Sequence, residues 1–345
     1  MNSSRRLTQL IEDQNQSGLY NYLMEQKGEN STLFLFKLKT QVLTSLEQPL
    51  IKSISPQEHI QFCEGIRDQI DTDNFNNKES NYRNLTHNQK NKLSHMIAAL
   101  SQYESIKVNL LRKTKVQFDK TNQEHEGMLE ELWNILKPDK KRTERITADW
   151  IDIGFQGKDP VTDFRGTGLL GLQHLMDLCR QKQSEALRMY EDSTHPDHWY
   201  FFAVTGINIT SKLWTSLKKG VFDTMLLNLF NKHGLLFNDS FSKSDNNNSN
   251  IPRSILTNQN QKTVVQIQKT NLTDQNLAQI ISEELIYEIF VVFYYEIFAA
   301  FNESWCSRKR DIMEFNQFIE RIFTEQFLPS SQGIADKFLK NRLRQ

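Results

Sequence analysis

Apolar residues in this chain recur at intervals of three and four and not in strict alternation, which is the period of one face of an α-helix. Helix breakers are scarce enough to let that period run, with Gly 13 and Pro 7 among 345 residues. Together these features predict an all-α, multi-helix globular fold. The length suffices for one large domain or two ordinary ones, with a core that needs no covalent staple. Cys63, Cys179 and Cys306 are odd in number, far apart and without CxxC spacing, which predicts a reducing compartment and no metal site. Lys+Arg and Asp+Glu stand at 42 each, so no global field selects DNA, RNA or an anionic membrane as the primary partner.

The first residues, MNSSRRLTQLIEDQNQ, carry neither an apolar leader nor a myristoylation glycine, because Asn2 follows the initiator. The most apolar run, Leu285 to Phe301, is shorter than the ~20 residues of a membrane span and contains Glu288 and Glu296, so it reads as a buried core helix. Caps mark helix starts at Ser55-Pro56-Gln57-Glu58, at Thr86 to Gln89 and near Thr121 to Glu124. The last leads into an apolar face of Leu129, Leu132, Trp133 and Leu136 that stops at Pro138. Composition makes Asn74 to Asn91 a linker and Asn238 to Asn250 a disordered loop. Thr263 to Gln268 has strand-like residues but no partner strand and stays unassigned. Long helices are expected from about Thr273, a capping residue, to Trp305 and from about Arg310 to Phe327, followed by a frayed basic tail. No internal repeat of solenoid length is apparent.

The densest signal is Trp150 to Leu175, WIDIGFQGKDPVTDFRGTGLLGLQHL, which holds five of the 13 glycines. Gly154 and Gly157 bracket Phe155-Gln156, and Asp159-Pro160 forces an extended or turn geometry, so an ordered loop is expected. Thr162 or Asp163 would then cap a helix beginning near Phe164, placing Arg165 in its first turn at the rim of the domain. A cation gains nothing at the positive end of a helix dipole. Arg165 therefore calls for an anion, either Asp159 or Asp163 within the chain or a phosphate outside it. Gly166-Thr167-Gly168-Leu169-Leu170-Gly171 matches G-x-G-x-x-G literally, but no strand precedes it and no parallel sheet surrounds it. Gly168 and Gly171 read instead as close-packing positions. Gly157-Lys158 is followed by Asp159, so the hydroxyl of a Walker motif is missing as well. His195 and His198 flank Pro196 and read as a solvated loop, not a ligand pair.

Trp150, Gly154, Phe155, Gln156, Gly157, Asp159, Pro160, Thr162, Asp163, Phe164, Arg165, Gly166, Gly168, Leu169, Leu170, Gly171 and Leu172 resemble the signature of the ELMO (engulfment and cell motility) domain family. LWNILKP at Leu132 to Pro138, YFFAVTGINIT at Tyr200 to Thr210, and Trp305 with Arg310 to Phe315 resemble its flanking segments, so the likeness runs from about Thr121 to Phe327. Leu178 stands where the family usually has phenylalanine and Phe201 where it usually has proline, departures that touch packing detail only. On this reading residues 1–115 form an N-terminal helical extension and 116–330 the ELMO domain, with a disordered insertion at about 238–252 and a tail at 331–345.

The resemblance implies a short ELMO-domain protein of the class that activates GTP hydrolysis by Arf-family small GTPases, with Arg165 as an arginine finger supplied in trans. Trp150, Gly154, Phe155, Gln156, Gly157, Asp159, Pro160, Thr162, Asp163, Phe164, Gly166 and Gly168 would then shape the loop or touch the GTPase. No cofactor of its own is implied, because the GTPase binds GTP and magnesium. The expected location is cytoplasmic, peripheral on an organelle membrane in membrane traffic or in cilia, through the partner. The alternative within the family is a non-catalytic scaffold or adaptor that binds a Dock-type exchange factor or a GTPase in Rac-dependent cytoskeletal signalling. Such scaffolds add armadillo repeats, a PH domain and a proline-rich tail, and this chain shows no PxxP segment near its end.

Overall fold

The computed structural model describes residues 3–13, 15, 18, 19, 21, 22, 85–235 and 281–344. Among them every regular element is a helix, as the three- and four-residue period predicts. They divide into two compact units, one of the described residues between 3 and 22 with 85–102, 230–235 and 281, the other of 103–229 and 282–344. The expected loop at Asn238 to Asn250, the Thr263 to Gln268 segment, Thr273, Ser55 and Cys63 all lie outside the described residues.

In the smaller unit α1 (Ser3–Glu12) buries Leu7 and Ile11. Helix α2 (His87–Lys113) opens on the cap expected at Thr86: the Gln89 amide donates to Thr86 Oγ1 at 3.3 Å, and the Thr86 amide donates to Gln89 Oε1 at 2.9 Å. Residues 87–91, given to a linker by their polar composition, are therefore the first turns of this helix. Its Leu93, Met96, Ile97 and Leu100 are buried.

The larger unit takes the last turns of α2 and adds α3 (Gln123–Leu136), α4 (Leu169–Gln181), α5 (Gln183–Ser193), α6 (Phe202–Lys218) and most of α7 (Asp223–Lys232). Asn122, one residue beyond Thr121, caps α3 by accepting from the Glu124 amide at 2.8 Å, and the predicted face of Leu129, Leu132, Trp133 and Leu136 is buried. Helix α8 (Glu283–Cys306) is the apolar run read as a core helix, capped by Ser282. It buries a broad face that includes Ile289, Phe290, Phe293, Tyr294, Phe298, Phe301 and Trp305, and leaves Glu284, Glu296 and Glu303 exposed on the other side. It packs against α4, α5, α6 and the C-terminal helices. No helix of the described residues is long and apolar enough to cross a membrane.

The chain after Arg310 departs from expectation. Helix α9 (Phe315–Arg321) passes through a π turn at Ile322–Phe327 into α10 (Leu328–Arg342). Pro329 lies in the first turn of α10, and the wider π turn ahead of it takes up the ring and the missing N–H without ending the helix. The basic end from Phe338, expected to fray, is helical to Arg342, buries Leu339 and pairs Arg342 with Glu288 of α8 at 3.1 Å, and Ser331 and Ala335 ahead of it are buried too.

Among the buried polar side chains of this unit, Lys107 and His174 are ionisable groups with defined partners. Lys107 Nζ lies 2.9 Å from both Glu104 and Asp223, and Tyr103 Oη donates to the other oxygen of Asp223 at 2.7 Å. His174 is fully buried among Trp214, Tyr287 and Tyr294, with Nδ1 3.0 Å from Thr210 Oγ1.

Candidate functional site

The loop from Thr147 to Gly168 rests on a chain of aromatic rings. Trp133 of α3 meets Trp150 edge-on at 5.7 Å, Trp150 meets Phe155 at 5.8 Å, Phe155 meets Phe164 at 5.8 Å, and Phe164 stacks on Phe118 at 6.1 Å. Both indoles are satisfied, Trp133 Nε1 donating to the Lys140 carbonyl at 2.5 Å and Trp150 Nε1 to the Arg145 carbonyl at 2.9 Å. Trp150, Phe155 and Phe164 are thus core anchors, and they fix the loop from beneath.

Two of the glycines have a steric reason. Gly154 ends the 3-10 turn Ala148–Ile153 at φ 85, and its carbonyl accepts from the Val204 amide at 3.0 Å in the first turn of α6. Gly168, at φ 59, lies against the backbone of Thr114 and Val116, and the next amide, Leu169, donates to the Val116 carbonyl at 2.7 Å. Gly171 meets its own neighbour Thr167 and approaches Ile207 of α6, in keeping with the close-packing reading of these two positions. A Cβ at Gly157 or Gly166 would meet nothing within 4 Å. Leu178 is buried and Phe201 half-buried, so both departures from the family pattern stay in apolar surroundings.

Arg165 does not open an α-helix. Asp159 and Pro160 start a 3-10 helix, Pro160–Gly166, with Asp159 Oδ1 accepting from the Val161 amide at 3.2 Å and the proline occupying a position that needs no N–H. Arg165 falls in its last turn, and the α-helix proper, α4, begins only after Gly168. The expected cap by Thr162 or Asp163 is therefore replaced by Asp159, and the dipole argument reverses, since a helix end of this sense accepts a cation.

Arg165 is in no close ion pair among the described residues, although the Asp163 carboxylate feels its charge. Its Nε donates to the Thr162 carbonyl at 2.8 Å, its side chain is exposed, and among the described residues no carboxylate stands within ion-pair distance. Both internal candidates are engaged elsewhere. Asp159 is held by Lys120 at 2.8 Å and by Arg145 at 3.2 Å. Asp163 accepts from the Gln156 amide at 2.9 Å, and burial raises its pKa while that bond and the positive charge of Arg165 act the other way. The Gln156 side chain is exposed and has no hydrogen-bond partner among the described residues, so it caps nothing. Lys158 is likewise exposed.

Lys120 and Arg145 were not legible in the sequence as part of this site. Arg145 is the hub: its Nε donates to Glu126 of α3 at 2.5 Å, its Nη1 to Asp159, its carbonyl receives Trp150, and its guanidinium lies over Phe118 at 5.8 Å. Their pairing to Asp159 spans 14 and 39 residues, a separation for which no sequence spacing gives a signal. His195 and His198 stack at 4.3 Å, and His195 Nδ1 accepts from the Asp197 amide at 3.2 Å. Among the described residues no group of three His, Cys, Asp or Glu side chains is arranged to hold a metal ion.

Buried rings thus hold this loop from beneath, and Arg165 stands exposed at its edge. The sequence model of the ELMO/CED-12 family matches residues 108–319, well over half of the chain, and the protein belongs to that family. It is 40% identical to ELMO domain-containing protein 2 of Mus musculus over 132 residues, 38% of this chain and 44% of that protein. It is 40% identical to ELMO domain-containing protein B of Dictyostelium discoideum over 130 residues, 37% of this chain and 45% of that one. To ELMO domain-containing protein 1 of Homo sapiens it is 34% identical over 152 residues, 37% of this chain and 46% of that one. The chain thus spans less than half the length of these relatives. No solved structure matches it.

Proposed function

We propose that this protein is a GTPase-activating protein for an Arf-family small GTPase and that Arg165 enters the partner's nucleotide site in trans. The observation that supports this reading is a surface guanidinium anchored at its root by one bond to the Thr162 carbonyl, with its Nη groups unpaired among the described residues. In the transition state of GTP hydrolysis negative charge spreads over the transferring phosphoryl oxygens, and an inserted arginine neutralises it. Arginine suits the task because its planar fork stays ionised and donates in a fixed geometry. The GTPase supplies GTP, magnesium and the side chain that orients water, so the ELMO unit needs no cofactor of its own. Trp150, Gly154, Phe155 and Phe164 hold the loop, and the exposed Gln156, Thr162 and Gly166 flank the arginine as contact positions. Recruitment to a membrane follows from the partner.

The test is single-turnover GTP hydrolysis by purified Arf-family and Rac-family GTPases, with the wild-type protein and with Arg165→Lys. An Arf-family rate raised by the wild type and lowered by ~10³-fold or more in the Lys variant supports the finger. Binding without acceleration across the panel would overturn it and move the protein to the adaptor class, including scaffolds that partner Dock-type exchange factors.

A further inference from the structure

With three residues per turn, consecutive side chains leave a 3-10 helix on three different faces. In Pro160–Gly166, Phe164 takes the face on the aromatic base, Arg165 the face open to solvent, and Asp163 the face toward the bend at Gln156. Asp163 is half-buried, and its Oδ2 accepts from the Gln156 amide at 2.9 Å. It closes no ion pair among the described residues, and the positive charge that reaches it is that of Arg165, two residues on. One carboxylate thus stands between Gln156 and Arg165.

The bond matters because little else holds the bend. Phe155 is fixed edge-on between Trp150 and Phe164, but a Cβ at Gly157 would meet nothing within 4 Å. From Gln156 to Lys158 the backbone has two further ties among the described residues, the Gln156 amide to Asp163 and the Thr147 amide to the Lys158 carbonyl at 3.0 Å. Only the first leads toward Arg165. The side chains at its two ends are both exposed, and they complement each other: a guanidinium only donates, whereas a glutamine amide donates and accepts.

We infer that Asp163 is a positioning residue of the site: by tying the Gln156 bend to the 3-10 helix, it presents the Gln156 amide and the Arg165 guanidinium to the partner at one fixed spacing. This rests on the function proposed above. Arg165 meets the phosphoryl oxygens, while Gln156, with a donor and an acceptor, takes a peptide unit beside the partner's nucleotide site. Asp163 touches neither phosphate nor partner and acts through the Gln156 backbone.

The experiment uses the full chain with Asp163→Ala, Asp163→Asn and Gln156→Ala, in single-turnover hydrolysis across a range of activator concentrations. Asparagine keeps an oxygen that accepts from the Gln156 amide but carries no charge. Asp163→Ala should lower the rate at saturating activator by about ten- to a hundredfold, the scale of a small misplacement at a reacting centre. Asp163→Asn should restore most of it. Equal losses in the two variants would assign the effect to the charge and overturn the tie. A full saturating rate reached only at higher concentration would mean that Asp163→Ala is merely partly unfolded, which also overturns it. Gln156→Ala keeps the bond and tests the inference even if Asp163→Ala does not fold: its saturating rate should fall, and an unchanged rate would overturn the scheme. A last readout needs no GTPase. Hydrogen exchange at the Gln156 amide should quicken in Asp163→Ala and slow again in Asp163→Asn. That pattern in a protein that accelerates no GTPase would keep the tie and overturn the function instead.

Discussion

A Cβ placed on Gly154 would stand 2.2 Å from the amide nitrogen of Phe202, closer than any real side chain comes to backbone. The loop that carries Arg165 and the first turn of α6 are therefore joined at a point where only glycine fits. Substituting alanine there adds left-handed strain of ~1–2 kcal/mol to a backbone displacement of ~1–3 kcal/mol, so Gly154→Ala should lose roughly 2–5 kcal/mol. Urea unfolding measures it. Gly166→Ala, with open space around the position, is the contrast and should change stability by less than ~1 kcal/mol.

Arg165 is exposed and makes one side-chain bond. Arg165→Ala should leave the unfolding free energy within about 0.5 kcal/mol of the wild type while removing the GTPase stimulation. A stability loss well beyond that, seen in the same unfolding curves, would mean the side chain is structural.

His174 gives the protein an acid limit. Burial depresses its pKa to about 3 from an ordinary value of 6.5, and Thr210, whose hydroxyl donates to the Gly206 carbonyl, leaves Nδ1 to act as the donor of a neutral ring. The unfolded chain takes up a proton below pH ~6.5 that the folded chain refuses until far lower, so this contribution to stability is complete above that pH and is lost as pH falls. Between pH 6.5 and 5 the loss should approach about 2 kcal/mol. His174→Gln should flatten the slope in urea titrations run across that window.

Lys107 is 8% exposed and lies between Glu104 and Asp223, whose charges hold its pKa up against desolvation. Asp223→Ala leaves that ammonium with one partner and should cost about 3 kcal/mol or more, read from the midpoint of denaturant unfolding.

The helical class and the family were legible because they are written in short-range patterns. Capping residues at Thr86 and the apolar face of α3 act within a few residues of themselves, and the signature from Trp150 to Leu172 is contiguous. The turn type around Arg165 was not legible. Asp159, Thr162 and Asp163 all have the chemistry of a cap, and the choice fell to Asp159 because Pro160 fills the first helical position and because Lys120 and Arg145, remote in sequence, hold its carboxylate in place. The tail was misjudged for a related reason. Its polar composition hides single buried residues, Ala335 and Leu339, that only the facing helices make apolar. Leu328-Pro329 looks like a stop unless the π turn before it is known.

Helix α8 has a bearing on how the larger unit comes to exist in a cell. It packs against α4, α5 and α6, yet it is synthesised after all of them, and α10, which buries Leu339, follows it. While the ribosome is still translating the segment before residue 283, the faces of α4 and α6 that carry His174, Phe202 and Trp214 have no α8 rings to close against. The larger unit should therefore complete its core only after the C-terminal helices have cleared the exit tunnel.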